Sequence, residues 1–502
     1  MTNTLKENVT FYLSIAAIVA LFIVVENSLL SKEFFALSAD ESGHTLEAYD
    51  WYKHDSQLFS IWLPFHKIIN GIALHIHYDL LVTPRVTSAF FGLLTLLSLV
   101  LLTYQLFENK IVALLTGFLA AIFLPIAVFS ILPLIEIYFF FFIVSSIACY
   151  FSWLRNDKSI YLWLTAILIS LGTTTRYEAW IFALFLLILM AYQVFKSNRT
   201  TIQISILSLS IAIIISVFPL YWIYLSAIAN ENVHGFISSV SQRYHEGTIF
   251  SEIKNNVLYL FLIINITSLN IIGLASLLYL TKTNLNVKKY SIILSGTLIT
   301  FSILSFAIKA MPSHNYWRVA MLWSLLVLPF TAYWLNHLLE SSKKFVLNKY
   351  MFIISFLLII YFFYSQLMKY TAISYLTRED IIVGRYLNKI TEYDSSKIFV
   401  MKDGSDKWKY SNLLITSQKP DQFVTETENF NYVSSDTISI SHKLISELLD
   451  YKVKFVVIPA RTTVKDKAKY LSEMEAFEKW KVFKLDSLQE KVNNLIRNLN
   501  GK

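Results

Sequence analysis

Two adjacent carboxylates, Asp40 and Glu41, follow directly after the first long apolar segment of the chain. That position is a membrane–water boundary, where a carboxylate can face an aqueous cavity and still lie close to lipid. A partly desolvated carboxylate is a suitable general base for a hydroxyl group. The same pair is also compatible with a helix N-terminus or a solvated loop. Its meaning therefore depends on the residues that surround it.

Further ionisable residues stand beside later apolar segments. Glu136 is at the start of one segment, and Arg176 and Glu178 lie in the short connection between two others. Arg318 and His234 lie in later connections. Ionisable groups at membrane depth are costly, so their clustering predicts a shared polar cavity. The structural alternatives are an ion pair between Glu136 and an arginine, and an Arg176–Glu178 pair that holds a tight turn.

The elements that must position these residues are membrane helices. The chain has 502 residues, of which 55% are hydrophobic and 16% aromatic, and this composition predicts a polytopic α-helical membrane protein. The single cysteine, Cys149, excludes an intramolecular disulfide. About eleven apolar segments are long enough to be transmembrane helices. They are Val9–Leu30, Val86–Tyr104, Ile111–Ser130, Leu134–Leu154, Ile160–Thr175, Ala179–Phe195, Ile202–Ile228, Val257–Leu280, Ser291–Ile308, Val319–Leu339 and Met351–Met368.

Basic residues in alternate short connections predict the orientation of these segments. They are Lys6, Lys110, Arg155, Lys158, Lys196, Arg199, Lys282, Lys288, Lys289, Lys343, Lys344 and Lys349. Such a bias marks the cytoplasmic side, so the N-terminus is expected in the cytoplasm and, with eleven spans, the C-terminus outside. The expected location is the plasma (inner) membrane. The net charge of +8 is scattered among apolar spans, which argues against nucleic-acid binding.

The composition changes near residue 370, because half of the charged residues lie in the last quarter of the chain. We therefore predict a membrane domain over 1–370, with a long first outward loop over 31–85, and a small soluble α/β domain over 371–502 on the outer face. In that domain, alternating apolar residues predict strands and amphipathic runs predict helices. The predicted strands are Lys397–Met401, Val453–Pro459 and Trp480–Leu485, and the predicted helices are Ser441–Tyr451 and Lys465–Trp480.

Several short motifs occur in a fixed order along the first 340 residues. The acidic pair is followed by Trp62–Ile68, which contains His66 and Lys67, and by Thr83–Ser88, which contains Arg85. Glu136 and the run Thr175–Trp180 come later. This order resembles the polytopic glycosyltransferases of the C-type fold, especially the branch with protein O-mannosyltransferases and bacterial aminoarabinose transferases.

The resemblance implies that a sugar moves from a polyprenyl-phosphate carrier to an acceptor hydroxyl of a lipid, protein or glycan, with inversion, on the non-cytoplasmic side. Asp40 is then the expected base, Glu41 supports it, and Glu136 holds the acceptor or completes an acidic wall. The expected substrate-binding residues are Lys67, Arg85, Arg176, Glu178 and Arg318, whose cations suit a phosphate. Some relatives hold a divalent metal (zinc, manganese or magnesium), for which His66 and His234 are the matching residues.

Three other functions remain open from the sequence. A polymerase or ligase of lipid-linked glycans would share the outer site. A transporter or flippase of lipid-linked sugars would call for repeated halves and helices broken by Gly or Pro, and the chain has only 12 Gly and 9 Pro. A non-catalytic scaffold would tolerate loss of the acidic pair.

Overall fold

The computed structural model describes residues 3–53, 62–196, 200–229, 268–308, 316–342, 346–370, 374–392, 396–401, 409–426, 437–439, 442–465 and 471–485. The chain divides into two compact units. The helical unit comprises Met1–Lys32, Asp55–Ile69 and Arg85–Ala372. The sheet unit comprises Glu33–His54, Asn70–Pro84 and Ile373–Lys502.

Helices account for nearly all described residues before position 370. In chain order they are α1 (Asn3–Ser31), α2 (Asp40–Tyr52), α3 (Phe65–Ile76), α4 (Thr83–Phe107), α5 (Lys110–Ile122), α6 (Leu124–Ile131), α7 (Ile135–Asn156), α8 (Ser159–Thr173), α9 (Glu178–Phe195), α10 (Thr201–Ala229), α11 (Ser268–Leu280), α12 (Leu285–Ile308), α13 (Tyr316–Ser342) and α14 (Val346–Tyr370). Each of the eleven predicted segments coincides with one or two of these helices, apart from the part of Val257–Leu280 before Ser268, which lies outside the described residues.

The membrane character predicted from the sequence is confirmed. Within the described part of the chain, six helices are long and apolar enough to cross a membrane, and a seventh span results if α5 and α6 are counted as one. The number of eleven spans stays a prediction, because helices such as α8, with 15 residues, are shorter than a simple span requires.

The third predicted span, Ile111–Ser130, is not one straight helix. It breaks at Phe123, where α5 and α6 meet at an angle of 60°. Pro125 lies in the first turn of α6, and it has no backbone N–H for the preceding turn. A continuous helix would need this N–H, and the proline ring clashes with the carbonyl of the preceding turn, so the helix bends here and restarts.

Helix α7 forms the centre of the helical unit. In the most apolar stretch of α7, 83% of the residues are buried, whereas in the corresponding stretch of α1 only 11% are buried. Helix α7 is therefore enclosed by protein, and α1 lies at the periphery. The buried side chains of α7 are mostly large and aromatic, including Tyr138, Phe140 and Phe151. An enclosed helix of this kind can place a charged residue away from lipid, and Glu136 lies in its first turn.

The sheet unit is built on a five-stranded sheet with the order β2-β1-β4-β7-β6. Strand β1 is parallel to β2 and β4, whereas β7 is antiparallel to β4 and β6. Separate apolar clusters cover the two faces of the sheet. The strands are β1 (Lys397–Val400), β2 (Phe423–Val424), β3 (Thr437–Ser439), β4 (Val453–Pro459), β5 (Thr463–Lys465), β6 (Leu471–Ala476) and β7 (Trp480–Leu485); β3 and β5 form a separate parallel pair. The helices are α15 (Arg378–Ile390), α16 (Tyr410–Thr416) and α17 (His442–Asp450), with a short 3₁₀ turn at Pro420–Gln422.

One prediction for this unit was wrong. The run Lys465–Trp480 was expected to be a helix, but its described part contains the end of β5 and the edge strand β6. Leu471 of β6 is buried opposite Leu485 of β7, while the rest of β6 is exposed. The Glu-rich composition favours a helix locally, and pairing with β7 overrides it. The strands predicted at Val453–Pro459 and Trp480–Leu485 are confirmed.

The two compact units group the chain differently from the predicted domains. The predicted boundary at residues 370 and 371 is close to the break between Ala372 and Ile373. However, Glu33–His54 and Asn70–Pro84, which we placed in the first loop of the membrane domain, are part of the sheet unit. The acidic pair therefore belongs to the same compact unit as the C-terminal sheet.

Candidate active site

Glu41 is a structural residue of the turn before α2. Its side chain is buried, and Oε1 accepts a hydrogen bond from the backbone N–H of Leu37 at 2.7 Å. Oε2 accepts from the N–H of Ser38 at 3.1 Å and from the Ser38 hydroxyl at 2.9 Å. Three donors around one carboxylate fix the chain that leads into α2. The supporting role in catalysis that the resemblance implies for Glu41 stays a prediction.

Asp40 is the first residue of α2 and lies on its more open face. Residues three and seven positions later, Gly43 and Glu47, share that face, and all three are only partly buried. Among the described residues, no atom would lie within 4 Å of a Cβ at Gly43. The described residues therefore leave space around Gly43 on the face of α2 that also carries Asp40.

The opposite face of α2 packs against the C-terminal part of the sheet unit. Ala48 and Tyr49 contribute to an apolar cluster with Leu376, Ile381 and Ile415. This cluster buries one stripe of α2 and fixes which face is left for Asp40. The sequence did not indicate this packing partner of α2.

Two tyrosine hydroxyls also join these segments. The Tyr49 hydroxyl donates to Asp421 Oδ2 at 2.5 Å, and the Tyr78 hydroxyl donates to the backbone oxygen of Gln418 at 2.6 Å. Burial raises the pKa of both phenols, and for Tyr49 the hydrogen bond to Asp421 adds to the effect. The pKa of Tyr78 is raised to about 12, so both groups remain protonated donors at physiological pH.

In the helical unit, four segments that carry predicted site residues come together. The aromatic ring of Phe65, at the start of α3, packs edge-on against Phe91 of α4 and against Tyr138 of α7. The backbone N–H of Phe65 donates to the carbonyl of Thr174, in the turn between α8 and α9, at 3.2 Å. The Ser88 and Tyr138 hydroxyls lie 3.3 Å apart. The clustering of ionisable residues in the sequence predicted a shared polar cavity, and the cavity itself stays a prediction.

An ion cluster connects this region. Arg176 Nη1 donates to Glu136 Oε1 at 2.8 Å, and its Nε and Nη2 donate to the two oxygens of Glu178 at 3.1 and 2.9 Å. Arg318 Nη1 lies 3.7 Å from the same Glu136 oxygen. Three nitrogens of Arg176 are thus engaged by carboxylates, which is the ion-pair alternative noted above for Arg176 and Glu178. This leaves Arg176 less suited to a phosphate than the sequence suggested.

Glu136 differs from Glu178 in the hydrogen bonding of its second carboxylate oxygen. Its side chain is 1% exposed, and its Oε2 has no hydrogen-bond partner among the described residues. A buried carboxylate oxygen left in this way costs free energy unless something pairs with it. Glu136 therefore has one oxygen held by arginine and one that has no hydrogen-bond partner within the described part of the chain.

The remaining predicted cations are buried in the helical unit. Lys67 is 2% exposed, and Arg85 is also buried. Full burial of a lysine or arginine is unusual, and such residues are normally paired or functional. Burial is consistent with the roles expected for both side chains.

His66 fits one position of a metal site. Its Nδ1 lies 3.0 Å from the carbonyl oxygen of Leu63, so Nδ1 carries the proton in this contact and Nε2 is the basic nitrogen of the neutral ring. Metal-bound histidines commonly have this arrangement. The second predicted ligand, His234, lies outside the described residues. Within the described residues no three His, Cys, Asp or Glu side chains are grouped so as to hold a metal ion.

Sequence reasoning missed Glu26, which lies near the end of α1. It is buried, and its Oε1 has no hydrogen-bond partner in the described part of the chain. The available signal was a single carboxylate inside an apolar helix. Ser42 and Asn412, which connect α2 to the C-terminal helices, were also missed, because neither residue type is distinctive in sequence.

The family model of dolichyl-phosphate-mannose-protein mannosyltransferases matches residues 30–232. No curated protein sequence matches the chain. The match covers the acidic pair, Glu136 and the Arg176–Glu178 turn.

Solved structures match over most of the length. ArnT from Cupriavidus metallidurans bound to undecaprenyl phosphate has a TM-score of 0.57 and 13% identity, and covers 94% of this chain and 98% of its own. The same protein in the apo state has a TM-score of 0.55 and 14% sequence identity, and the match covers 93% of this chain and 97% of the ArnT chain. A third match is the archaeal oligosaccharyltransferase AglB from Archaeoglobus fulgidus, solved in complex with an inhibitory peptide and a dolichol-phosphate. Its TM-score is 0.46 and its sequence identity is 13%, and the match covers 90% of this chain and 70% of the AglB chain.

At such identities the likeness to ArnT concerns the fold. Together with the family match, it confirms the resemblance of this chain to the polyprenyl-phosphate-sugar glycosyltransferases of the C-type membrane fold.

Proposed function

We propose that this protein is a membrane glycosyltransferase that moves a sugar from a polyprenyl-phosphate carrier to an acceptor hydroxyl on the non-cytoplasmic side, with inversion at the anomeric carbon. The buried Glu136 is the observation that carries the proposal. It lies between Arg176 and Arg318, has a carboxylate oxygen without a described partner, and stands at the start of an enclosed helix. The fold is that of ArnT, which has been solved with undecaprenyl phosphate.

The reaction requires one base and one stabilised leaving group. The acceptor oxygen attacks the anomeric carbon, its proton moves to the Asp40 carboxylate, and the bond from the anomeric carbon to the phosphate oxygen breaks. Attack from the face opposite the leaving phosphate inverts the anomeric carbon. Glu136 accepts a hydrogen bond from the acceptor through Oε2, and Glu41 holds the turn in front of Asp40.

The departing polyprenyl phosphate carries negative charge that buried cations stabilise. Lys67, Arg85 and Arg318 are the best candidates, since guanidinium groups grip phosphate oxygens in pairs and an ammonium acts as a point charge. A bound divalent metal, with His66 and His234 as its expected ligands, would add positive charge at the phosphate.

The proposed side of the membrane rests on the distribution of charge. Basic residues in alternate short connections support a cytoplasmic N-terminus and an extracytoplasmic C-terminal domain. The donor is then used at the outer leaflet, where Phe and Tyr at the interface suit a lipid tail.

The deciding experiment is a transfer assay in membranes with candidate polyprenyl-phosphate sugars. Asp40→Asn removes the base with little change in volume, and we expect transfer to fall at least about 100-fold, the scale of general-base catalysis. Asp50→Asn is the matched control, because Asp50 is an exposed carboxylate of the same helix. It should keep activity within about twofold, as surface substitutions away from a site usually do.

Other results would identify a different function. Full activity of a folded Asp40→Asn variant would refute Asp40 as the base. Movement of labelled lipid-linked sugar across liposomes without transfer would indicate a flippase. Transfer of whole glycans in place of single sugars would indicate a ligase or polymerase.

A further inference from the structure

A buried series of side-chain hydrogen bonds runs from α2 to the C-terminal sheet. The Ser42 hydroxyl donates to Asn412 Oδ1 at 2.7 Å. Asn412 Nδ2 donates to the carbonyl of Tyr375 at 3.3 Å and lies 3.5 Å from Asp380 Oδ2. Trp480 Nε1 on β7 donates to Asp380 Oδ1 at 3.1 Å. Ser42, Asn412 and Asp380 are fully buried, so water does not compete for these bonds.

The far end of this series is firmly fixed. Asp380 and Thr377 form a capping box at the start of α15, in which Asp380 Oδ2 accepts from the Thr377 N–H at 2.9 Å and from its hydroxyl at 3.0 Å. A carboxylate in the first turn of a helix is also favoured by the helix dipole. Asp380 is therefore held by its own helix and by Trp480, and it serves as an anchor for Asn412.

The near end lies at the first turn of α2. The residue before this helix, Ala39, makes no side-chain capping bond. The turn is instead held by Glu41, which binds residues 37 and 38, and by Ser42, which binds Asn412. Because Glu41 and Ser42 are both held in the first turn of α2, the direction in which the Asp40 side chain leaves the helix is also fixed.

Other hydrogen bonds attach the first-loop segments to the C-terminal part of the chain at positions further from Asp40. The Tyr375 N–H donates to the carbonyl of Ala36 at 2.8 Å, and the Leu80 N–H donates to Gln418 Oε1 at 2.7 Å. These bonds hold the segments without acting on the turn of Asp40. The Ser42–Asn412 bond, in contrast, starts only two residues after Asp40.

We propose that Asn412 is a positioning residue, which orients Asp40 through Ser42 and makes the C-terminal sheet part of the catalytic apparatus. The inference rests on the proposed function, in which Asp40 is the base. Its physical basis is that an error of about 1 Å in the position of a catalytic group costs about 100-fold in rate. The sheet then contributes to the rate of transfer, in addition to any contact with the acceptor.

The test compares three variants of the full-length protein in the transfer assay. Ser42→Ala and Asn412→Leu each remove the link, and we expect kcat to fall about 10- to 100-fold while KM for the donor changes less than about threefold. Thr416→Val is the matched control. Its hydroxyl is a buried donor on the same helix as Asn412 and bonds the carbonyls of Asp380 and Asn412, so its loss costs stability without breaking the link to α2. It should keep kcat within about twofold.

A double variant separates positioning from general destabilisation. If Ser42 and Asn412 act through one bond, the double variant should lose no more kcat than the worse single variant. Losses of kcat that follow Tm across all three single variants, Thr416→Val included, would overturn the proposal. So would an Asn412→Leu variant with unchanged kcat.

Asp40→Asn distinguishes failure of this inference from failure of the proposed function. If Asp40→Asn is inactive but the Ser42 and Asn412 variants are fully active, the positioning role alone is wrong. If Asp40→Asn keeps full activity, the assignment of the base is wrong and the positioning role falls with it. When both are right, Asn412→Leu causes no further loss in an Asp40→Asn background.

Discussion

At the scale of residues, the two carboxylates bound to Arg176 are unequal. Glu178 uses both oxygens for the guanidinium, whereas Glu136 uses one and keeps Oε2 without a described hydrogen-bond partner. Removing one partner of a buried ion pair destabilises a protein because the other charge stays buried. The loss of a functional oxygen adds an effect on activity that stability does not explain.

We therefore predict different outcomes for two conservative substitutions. Glu136→Gln and Glu178→Gln should each cost about 3 kcal/mol of stability, since each leaves Arg176 with one carboxylate fewer. Only Glu136→Gln should reduce transfer by about 100-fold or more when assayed well below Tm. Thermal unfolding in detergent and the transfer assay give the two readouts. Equal losses of activity in both variants would show that the cluster is purely structural.

The sequence distinguished Asp40 from Glu41 only through a family resemblance, and the structure supplies a physical reason. Glu41 points to the turn at residues 37 and 38 and is buried, whereas Asp40 lies on the face with Gly43 and Glu47. Neighbouring helical residues point in directions about 100° apart, so a start at Asp40 gives the pair different surroundings. The exact start of the helix was not evident from the sequence, since no capping side chain marks it.

At the scale of elements, close approach of α4 and α6 depends on one glycine. A Cβ at Gly92 would overlap the Cβ of Ser130 on α6. Both atoms are attached directly to backbone, so neither can turn away. The contact brings α4, which carries Arg85, against α6, and the Ser130 hydroxyl donates to the carbonyl of Ala127 at 2.7 Å.

We predict that Gly92→Ala lowers stability by about 1–3 kcal/mol, the usual cost of overpacking a core. Gly43→Ala serves as the control, because the described residues leave open space at Gly43 and alanine favours helix by about 1 kcal/mol. Its Tm should rise. Adding Ser130→Gly to Gly92→Ala should restore part of the loss, and absence of any loss in Gly92→Ala would contradict this packing.

Elements that form through local requirements were predictable from the sequence, whereas elements that form through contacts with distant residues were not. Apolar length located the membrane helices, because the membrane requirement acts on each segment separately. The bend at Phe123 was readable from Pro125 but was overlooked. Strand β6 was not predictable from its own residues, since Leu471 is the only buried member and its pairing with β7 decides the conformation.

At the scale of the whole molecule, the sheet unit is assembled from three separate stretches of chain. The sequence suggested a C-terminal domain from its charge content, and it gave no sign that Glu33–His54 and Asn70–Pro84 pack with that domain. Such grouping depends on contacts between distant residues, for which local patterns carry no signal. The consequence is that α2 depends on residues beyond 373 for its buried face.

We predict that a chain truncated after Ala372 still inserts its membrane helices but has no transfer activity. Helix α2 would lose Leu376, Ile381 and Ile415, and an isolated helix of 13 residues is marginal in water. Limited proteolysis should therefore cut within 33–54 in the truncated chain. Full-length Asp40→Asn is the control, since it should be inactive yet resist cleavage there. Resistance of the truncated chain would show that α2 folds without the sheet.

The distance along the chain between Ser42 and Asn412, 370 residues, also has a consequence for biosynthesis. At a synthesis rate of about 5–20 residues per second, α2 leaves the ribosome roughly 20 to 70 s before its partner exists. Once Glu136 has also been synthesised, the nascent protein has all of its proposed catalytic carboxylates but lacks the anchor for the base. An unfinished chain in the membrane is thus a poor catalyst of sugar transfer, and full activity begins only when the C-terminal sheet has been synthesised and folded.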